Sequence, residues 1–142
     1  MVGGLANSGT VQVLEASLRF AAQRQRLIAH NIANATTPGF EVKEVSVRGF
    51  REALGRALDE HRREGGDRLG LTGSGEVVQH PDGRLEFKPE TPRGGIVFHD
   101  RNNRDLERLM QDLAENAAAF RVSAELLRTR NDVMRTAISQ RV

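Results

Sequence analysis

Along the first part of the chain, Val11, Leu14, Leu18, Ala21, Gln25, Ile28, Ile32 and Ala35 recur at intervals of three and four. All but Gln25 are apolar. That alternation is a heptad seam, and it predicts a helix over residues 8–35, about 40 Å long at ~1.5 Å per residue. Ser8 or Thr10 offers a side-chain oxygen for the N-cap. Thr37-Pro38-Gly39 ends the helix, because proline disfavours a helical residue before it and Pro-Gly suits the centre of a type II turn.

A second seam closes the chain. Met110, Leu113, Ala117, Phe120, Ala124, Leu127, Asn131, Met134 and Ile138 keep the same spacing, and they predict a helix over residues 103–140, about 50 Å long. Leu106 and Leu109 widen its apolar face near the start. Asn102 or Asn103 stands as its N-cap, with Asp105 and Glu107 in the first turn opposing the helix dipole.

Between the seams the pattern changes. Val47, Phe50, Leu54 and Leu58 predict one short amphipathic helix. Residues 63–75 hold Gly65-Gly66, Gly70, Gly73 and Gly75 and read as a flexible loop. Residues 76–79 and 84–87 flank His80-Pro81-Asp82-Gly83, a hairpin signal. Pro89, Pro92 and Gly94-Gly95 predict an irregular return. The expected fold is mainly α: long N- and C-terminal helices forming a coiled-coil-like pair around a small irregular middle with a short helix and a β-hairpin. The expected units are residues 1–40, 41–101 and 102–142.

Each large aliphatic side chain contributes about 1.5–3 kcal/mol when fully buried. The five on the first seam therefore supply on the order of 10 kcal/mol, against about 1–2 kcal/mol per residue for ordering the backbone. Such a helix is marginal alone. An intramolecular antiparallel hairpin of the two helices satisfies the seams, and so does packing with neighbouring subunits. Alanines on several faces, among them Ala22, Ala29, Ala33, Ala114, Ala118 and Ala119, suit close contact with more than one neighbour.

Composition narrows the function classes. The 21 basic and 19 acidic residues leave a formal charge of +2, too even to favour nucleic acid or an anionic membrane. There is no cysteine, so no disulfide, thiolate nucleophile or Cys-based zinc site is expected. Six Phe, without Trp or Tyr, offer few anchors for a deep core. No apolar stretch reaches the roughly 18 residues of a membrane span, and the first residues lack the pattern of a cleaved signal peptide.

The segment Asn31-Ile32-Ala33-Asn34-Ala35-Thr36-Thr37-Pro38-Gly39-Phe40 resembles the N-terminal signature of the flagellar rod and hook protein family. The likeness runs back through Leu18, Gln23, Arg24 and Ile28. Near the other end, residues 102–107 look like that family's entry to its final helix, continued by Asn116, Phe120, Leu127 and Arg135-Thr136-Ala137-Ile138. Arg104 stands where an apolar residue is usual and Phe120 where Tyr is common. The resemblance covers about half of the chain. Its length is similar to that of the short proximal-rod members, with the turn and the ending nearer to the subfamily beside the adaptor FliE than to FlgC.

The resemblance implies a non-enzymatic structural subunit of the bacterial flagellar basal body. Such a subunit is exported uncleaved by the flagellar type III apparatus and polymerises helically in the periplasm into the hollow drive shaft. Implied partners are other copies of itself, the rod proteins FlgC, FlgF and FlgG, FliE and the export gate; no cofactor or nucleic acid is implied. Subunit contacts are expected at Leu14, Leu18, Ile28, Asn31, Ile32, Asn34, Thr37, Pro38, Gly39 and Phe40, and at Leu106, Leu113, Phe120, Leu127, Met134 and Ile138. By itself Asn34 reads as a C-terminal helix cap.

Other chemistry lacks its pattern. His30, His61, His80 and His99 show no i, i+4 pairing. Residues 70–75 lack the Gly-Lys-Ser/Thr ending of a phosphate loop, and no serine sits in a G-x-S-x-G elbow. Arg19, Arg24, Arg26, Arg128, Arg130 and Arg135 are interrupted by Glu15, Glu125 and Asp132, as on solvated helix faces. A cytoplasmic helical-hairpin adaptor is the competing reading of the same helices.

Overall fold

The computed structural model describes residues 2–66, 68–72, 74–91 and 101–140, with side chains in the two long helices from 9 and from 106 onward. Pro92 and Gly94-Gly95 of the expected return lie outside the described residues. Helix α1 spans Val2–Asn34, α2 Val47–Glu64 and α3 Arg101–Ser139; strands β1, Val77–Gln79, and β2, Leu85–Phe87, lie between α2 and α3. The terminal helices are longer than expected, about 50 Å and 58 Å. Ser8 and Thr10 sit inside α1, and Asn102 and Asn103 inside α3, so none of them is an N-cap. Polar residues in the first turns of a long helix imitate a cap when only the apolar seam defines its start.

Ser46 is the clear cap. Its Oγ accepts the Gly49 N–H at 2.9 Å and opens α2. The helix continues past Leu58 because Ala53, Ala57 and His61 extend the buried face begun by Phe50 and Leu54. It closes at Gly65, whose φ is +69° and whose N–H donates to the His61 carbonyl at 3.1 Å. Arg63 and Glu64 are thus helical rather than loop. Near the other end of α1, a Cβ added at Gly9 would lie 3.0 Å from His61 Cδ2.

The hairpin forms where expected, antiparallel, with Val77 opposite Phe87 and Gln79 opposite Leu85. The His80 and Gly83 N–H groups close its turn, each bond 2.8 Å long, with Gly83 at φ +81°. The Arg84 amide, and then its guanidinium, hold the exposed Asp82 carboxyl below its ordinary range.

The middle segment carries more of the core than its pattern implies. Phe20 of α1 stacks on Phe50 of α2, centroids 3.9 Å apart and planes within 8°, and Phe87 tilts against Phe20 at 5.3 Å. Ala16, Val45, Leu54, Ala57, Leu69, Val77 and Leu85 complete the buried cluster. Leu69 anchors the glycine-rich loop, and its N–H donates to Gln12 Oε1. A loop with one buried leucine and a hydrogen bond back to α1 is pinned at that point. The heptad reading omitted Phe20 because its row lies one residue, about 100°, from the seam.

Helix α1 therefore serves two partners. Its Phe20 side faces α2 and the hairpin, while its seam faces α3. Arg24 meets Asp112, and Asn116 reaches back to Ala21 and Gln25. Rising numbers on α3 match falling numbers on α1, so the pair is antiparallel. The intrachain partner that the seams allow is present.

Candidate assembly surface

The turn after α1 has the expected geometry. Phe40 N–H donates to the Thr37 carbonyl at 3.1 Å and Gly39 takes φ +76°, as the third position of a type II turn requires. Pro38 supplies the second position. Thr37, Pro38 and Gly39 are exposed, and Phe40 folds back edge-on to the His30 ring at 5.7 Å. Gly39→Ala meets no neighbouring atom but must hold a left-handed backbone. It is expected to lower stability by about 1–2 kcal/mol, read as a shift in the urea unfolding midpoint.

Asn31 fastens this turn to the helix. Its amide donates to the Lys43 carbonyl at 2.7 Å and its oxygen accepts the Lys43 N–H at 3.3 Å, with only 1% of the residue exposed. Lys43 then leads into Glu44, which forms a paired backbone bridge with Glu90 and meets Arg108 of α3. Asn31→Ala would remove both bonds to the Lys43 backbone, at a cost of about 0.5–1.5 kcal/mol for each. Hydrogen exchange at Lys43 should rise with the fall in unfolding free energy. Asn34 donates to the His30 carbonyl at 2.8 Å, tying down the last turn of α1.

The other polar residues of the signature also act as long-range clamps. Gln23 donates to the Leu85 carbonyl and holds the hairpin. Arg24 and Asp112 pair at 2.9 Å with both side chains largely covered. Asn116, 3% exposed, donates at 2.8 Å to both the Ala21 carbonyl and Gln25 Oε1. Each bond joins segments more than 60 residues apart, so these side chains hold α1, α3 and the hairpin in one arrangement.

The expected contact residues fall into three groups. Ile28 and Asn31 are buried within the chain. Leu14, Leu18, Ile32, Asn34, Phe40, Leu106, Leu113 and Leu127 are half-buried, most of them along the α1–α3 seam. Thr37, Pro38, Gly39, Phe120, Met134 and Ile138 are open. The structure adds three that the seam omitted: Val122, Leu126 and Val133, each more than half exposed. With Ala119 and Ala137 they make a row spaced by three, four and seven, one residue step around α3 from the seam. That spacing was visible in the sequence but reads as a flank of the first stripe.

Beside this row a groove of about 430 Å³ opens between α1, α2 and α3, with Phe20 and Phe50 among its lining. A second groove, against the hairpin, is lined by Glu15, Arg19, His80 and Asp82 among others; Arg19 there donates to the Gly83 carbonyl at 2.8 Å and His80 meets Glu86 at 2.8 Å. Among the described residues, no group of three or more His, Cys, Asp or Glu is placed to hold a metal ion. The described surface offers apolar rows and paired charges.

No family model matches the chain. Individual relatives do, over most of their length. Flagellar basal body rod protein FlgB of Yersinia enterocolitica is 30% identical over 125 residues, covering 84% of this chain and 85% of the relative. The FlgB of Salmonella typhimurium is 32% identical over 127 residues, covering 80% and 86%. That of Bacillus subtilis is 24% identical over 139 residues, covering 93% and 95%. This chain belongs to the FlgB family of flagellar basal body rod proteins.

Proposed function

We propose that the chain is a structural subunit of the proximal rod, polymerising helically through its terminal helices to form the hollow drive shaft and export channel. One observation carries the reading beyond family membership. Helix α3 pairs with α1 on one side yet leaves Val122, Leu126 and Val133 more than half exposed, an apolar row suited to packing with a neighbouring helix. The exposed Thr37-Pro38-Gly39 turn is a second open patch, at the end of α1. The partners in this reading are other copies of the chain, FlgC, FlgF and FlgG, the adaptor FliE and the export gate. Delivery is by the flagellar type III route to the periplasm, and no described helix is long and apolar enough to cross a membrane. A strain lacking the gene is expected to be non-motile, without rod or hook, and to recover on complementation. Motile cells with intact hooks would overturn the assignment.

A further inference from the structure

Helix α3 carries two stripes of heptad spacing with one charged face between them. The first is the seam, which α1 covers only in part: Ala124 and Leu127 are half-buried there, while Phe120 and Asn131 are exposed. The second is the outer row, where Thr129 continues the series Val122, Leu126 and Val133 at steps of four, three and four, all of them exposed. At about 100° per residue, Arg121, Arg128 and Arg135 border the seam, about 70° from its centre. Glu125 and Asp132 border the row, about 80° from its centre. Both borders lie on the arc that separates the two stripes. The three arginines recur at intervals of seven, and so do the two acids. All five side chains are exposed, and none of them forms an ion pair among the described residues.

Resting on the rod-subunit reading, we infer that the α3 helices of successive copies lie parallel, the outer row of one against the open edge of the seam in the next. The charges select both the occupant and its direction. In a parallel pair the border of the row and the border of the seam fall on the same side of the contact, so the acids of one copy meet the arginines of the other. In an antiparallel pair they fall on opposite sides, and the acids face the flank that the second copy's α1 already occupies. Glu125 pairs with the neighbour's Arg128 and Asp132 with its Arg135, one register serving both because the two stripes share a seven-residue repeat. Flanking pairs of this kind set partner choice and orientation between packed helices. The same register lays Leu126 over the neighbour's small Ala124 and Val122 over its Phe120, which is 39% exposed in the single chain. The contact joins two different stripes of the same helix, so it is heterologous. Every copy then presents one donor and one acceptor, and such a contact propagates into an open filament when its rotation does not close.

The absence of cysteine makes the test clean. Leu126→Cys and Ala124→Cys variants are co-expressed in a strain lacking the natural gene and oxidised with copper phenanthroline; purified basal bodies are then resolved on a non-reducing denaturing gel. A disulfide-linked dimer that requires both variants is expected, and a chain carrying both cysteines should give a ladder of multimers. Within one chain the two side chains point about 160° apart, so no internal bridge competes. Asp59→Cys, on the exposed side of α2, should give no dimer with either. If the unaltered chain is present in basal bodies but the dimer is absent, the α3 pairing is wrong and the rod assignment stands. If the unaltered chain is absent from basal bodies, the rod assignment itself falls. As an independent measurement, one chain carries Glu125→Arg with Asp132→Arg and another carries Arg128→Glu with Arg135→Glu. Each alone should abolish swimming, since like charges then meet at every contact. Expressed together they should restore it, because contacts between unlike copies are complementary, whereas pairing within a chain cannot be repaired by a second chain. Normal swimming with either variant alone, or no recovery with both, overturns the pairing.

Discussion

Phe20→Ala is expected to lower the free energy of unfolding by about 3–5 kcal/mol, the usual cost of truncating a buried phenylalanine. The residue is 5% exposed and touches two other rings, Phe50 stacked and Phe87 tilted. Its loss removes the aromatic contact of α1 with both α2 and the hairpin. Small domains hold only about 5–15 kcal/mol in total, so the variant should unfold at a much lower urea concentration. The denaturant slope reports whether the middle segment has come loose in the folded state. A variant as stable as the parent would mean that the aromatic cluster does not organise the core. Phe20→Leu keeps most of the volume and should recover most of the loss.

The second large effect concerns assembly. Val133→Asp combined with Ile138→Asp is expected to abolish swimming while leaving the unfolding midpoint within about 0.5 kcal/mol of the parent, as surface substitutions usually do. Both side chains are already in water in the single chain, so adding charge there removes no intrachain burial. Buried against a neighbouring subunit, two new carboxylates would lack partners and disrupt the contact. Normal motility of this variant would show that the exposed end of α3 is not packed in the rod. Loss of stability together with motility would show that this end is needed for the fold.

These two substitutions separate the roles of the helices. The heptads left two kinds of partner open for the terminal helices, each other or neighbouring subunits. In the structure α1 is satisfied on two sides, by α3 and by the middle segment, and its Ala16, Phe20, Ala21 and Ile28 are all buried. Among the described residues, the exposed large apolar side chains lie on α3, from Met110 through Phe120 and Val122 to Ile138. The groups open to a neighbour are thus concentrated on α3, with the exposed turn at the end of α1 as the second patch.

Much of this was legible locally. The Thr37–Phe40 turn follows from Pro38 and Gly39, because each residue type restricts φ at its own position. The hairpin follows from two short apolar runs around His80-Pro81-Asp82-Gly83, and the helices from spacing alone. Helix ends were less legible: Ser8 and Asn103 have the right side chains for caps, but the hydrogen bonds that decide a cap depend on where the backbone already turns.

The sequence by itself determined the element types, the type II turn and the family signature, since each rests on neighbours within a few positions. Only the tertiary structure decided which face of each helix is covered. A seam shows that a row is apolar, not whether α3, the hairpin or another molecule lies over it. The roles of Gln23, Arg24, Asn31 and Asn116 were settled in the same way. Their partners Leu85, Asp112, Lys43 and Ala21 lie 12 to 95 residues away, and pairings over such distances follow from how the chain packs, not from local spacing.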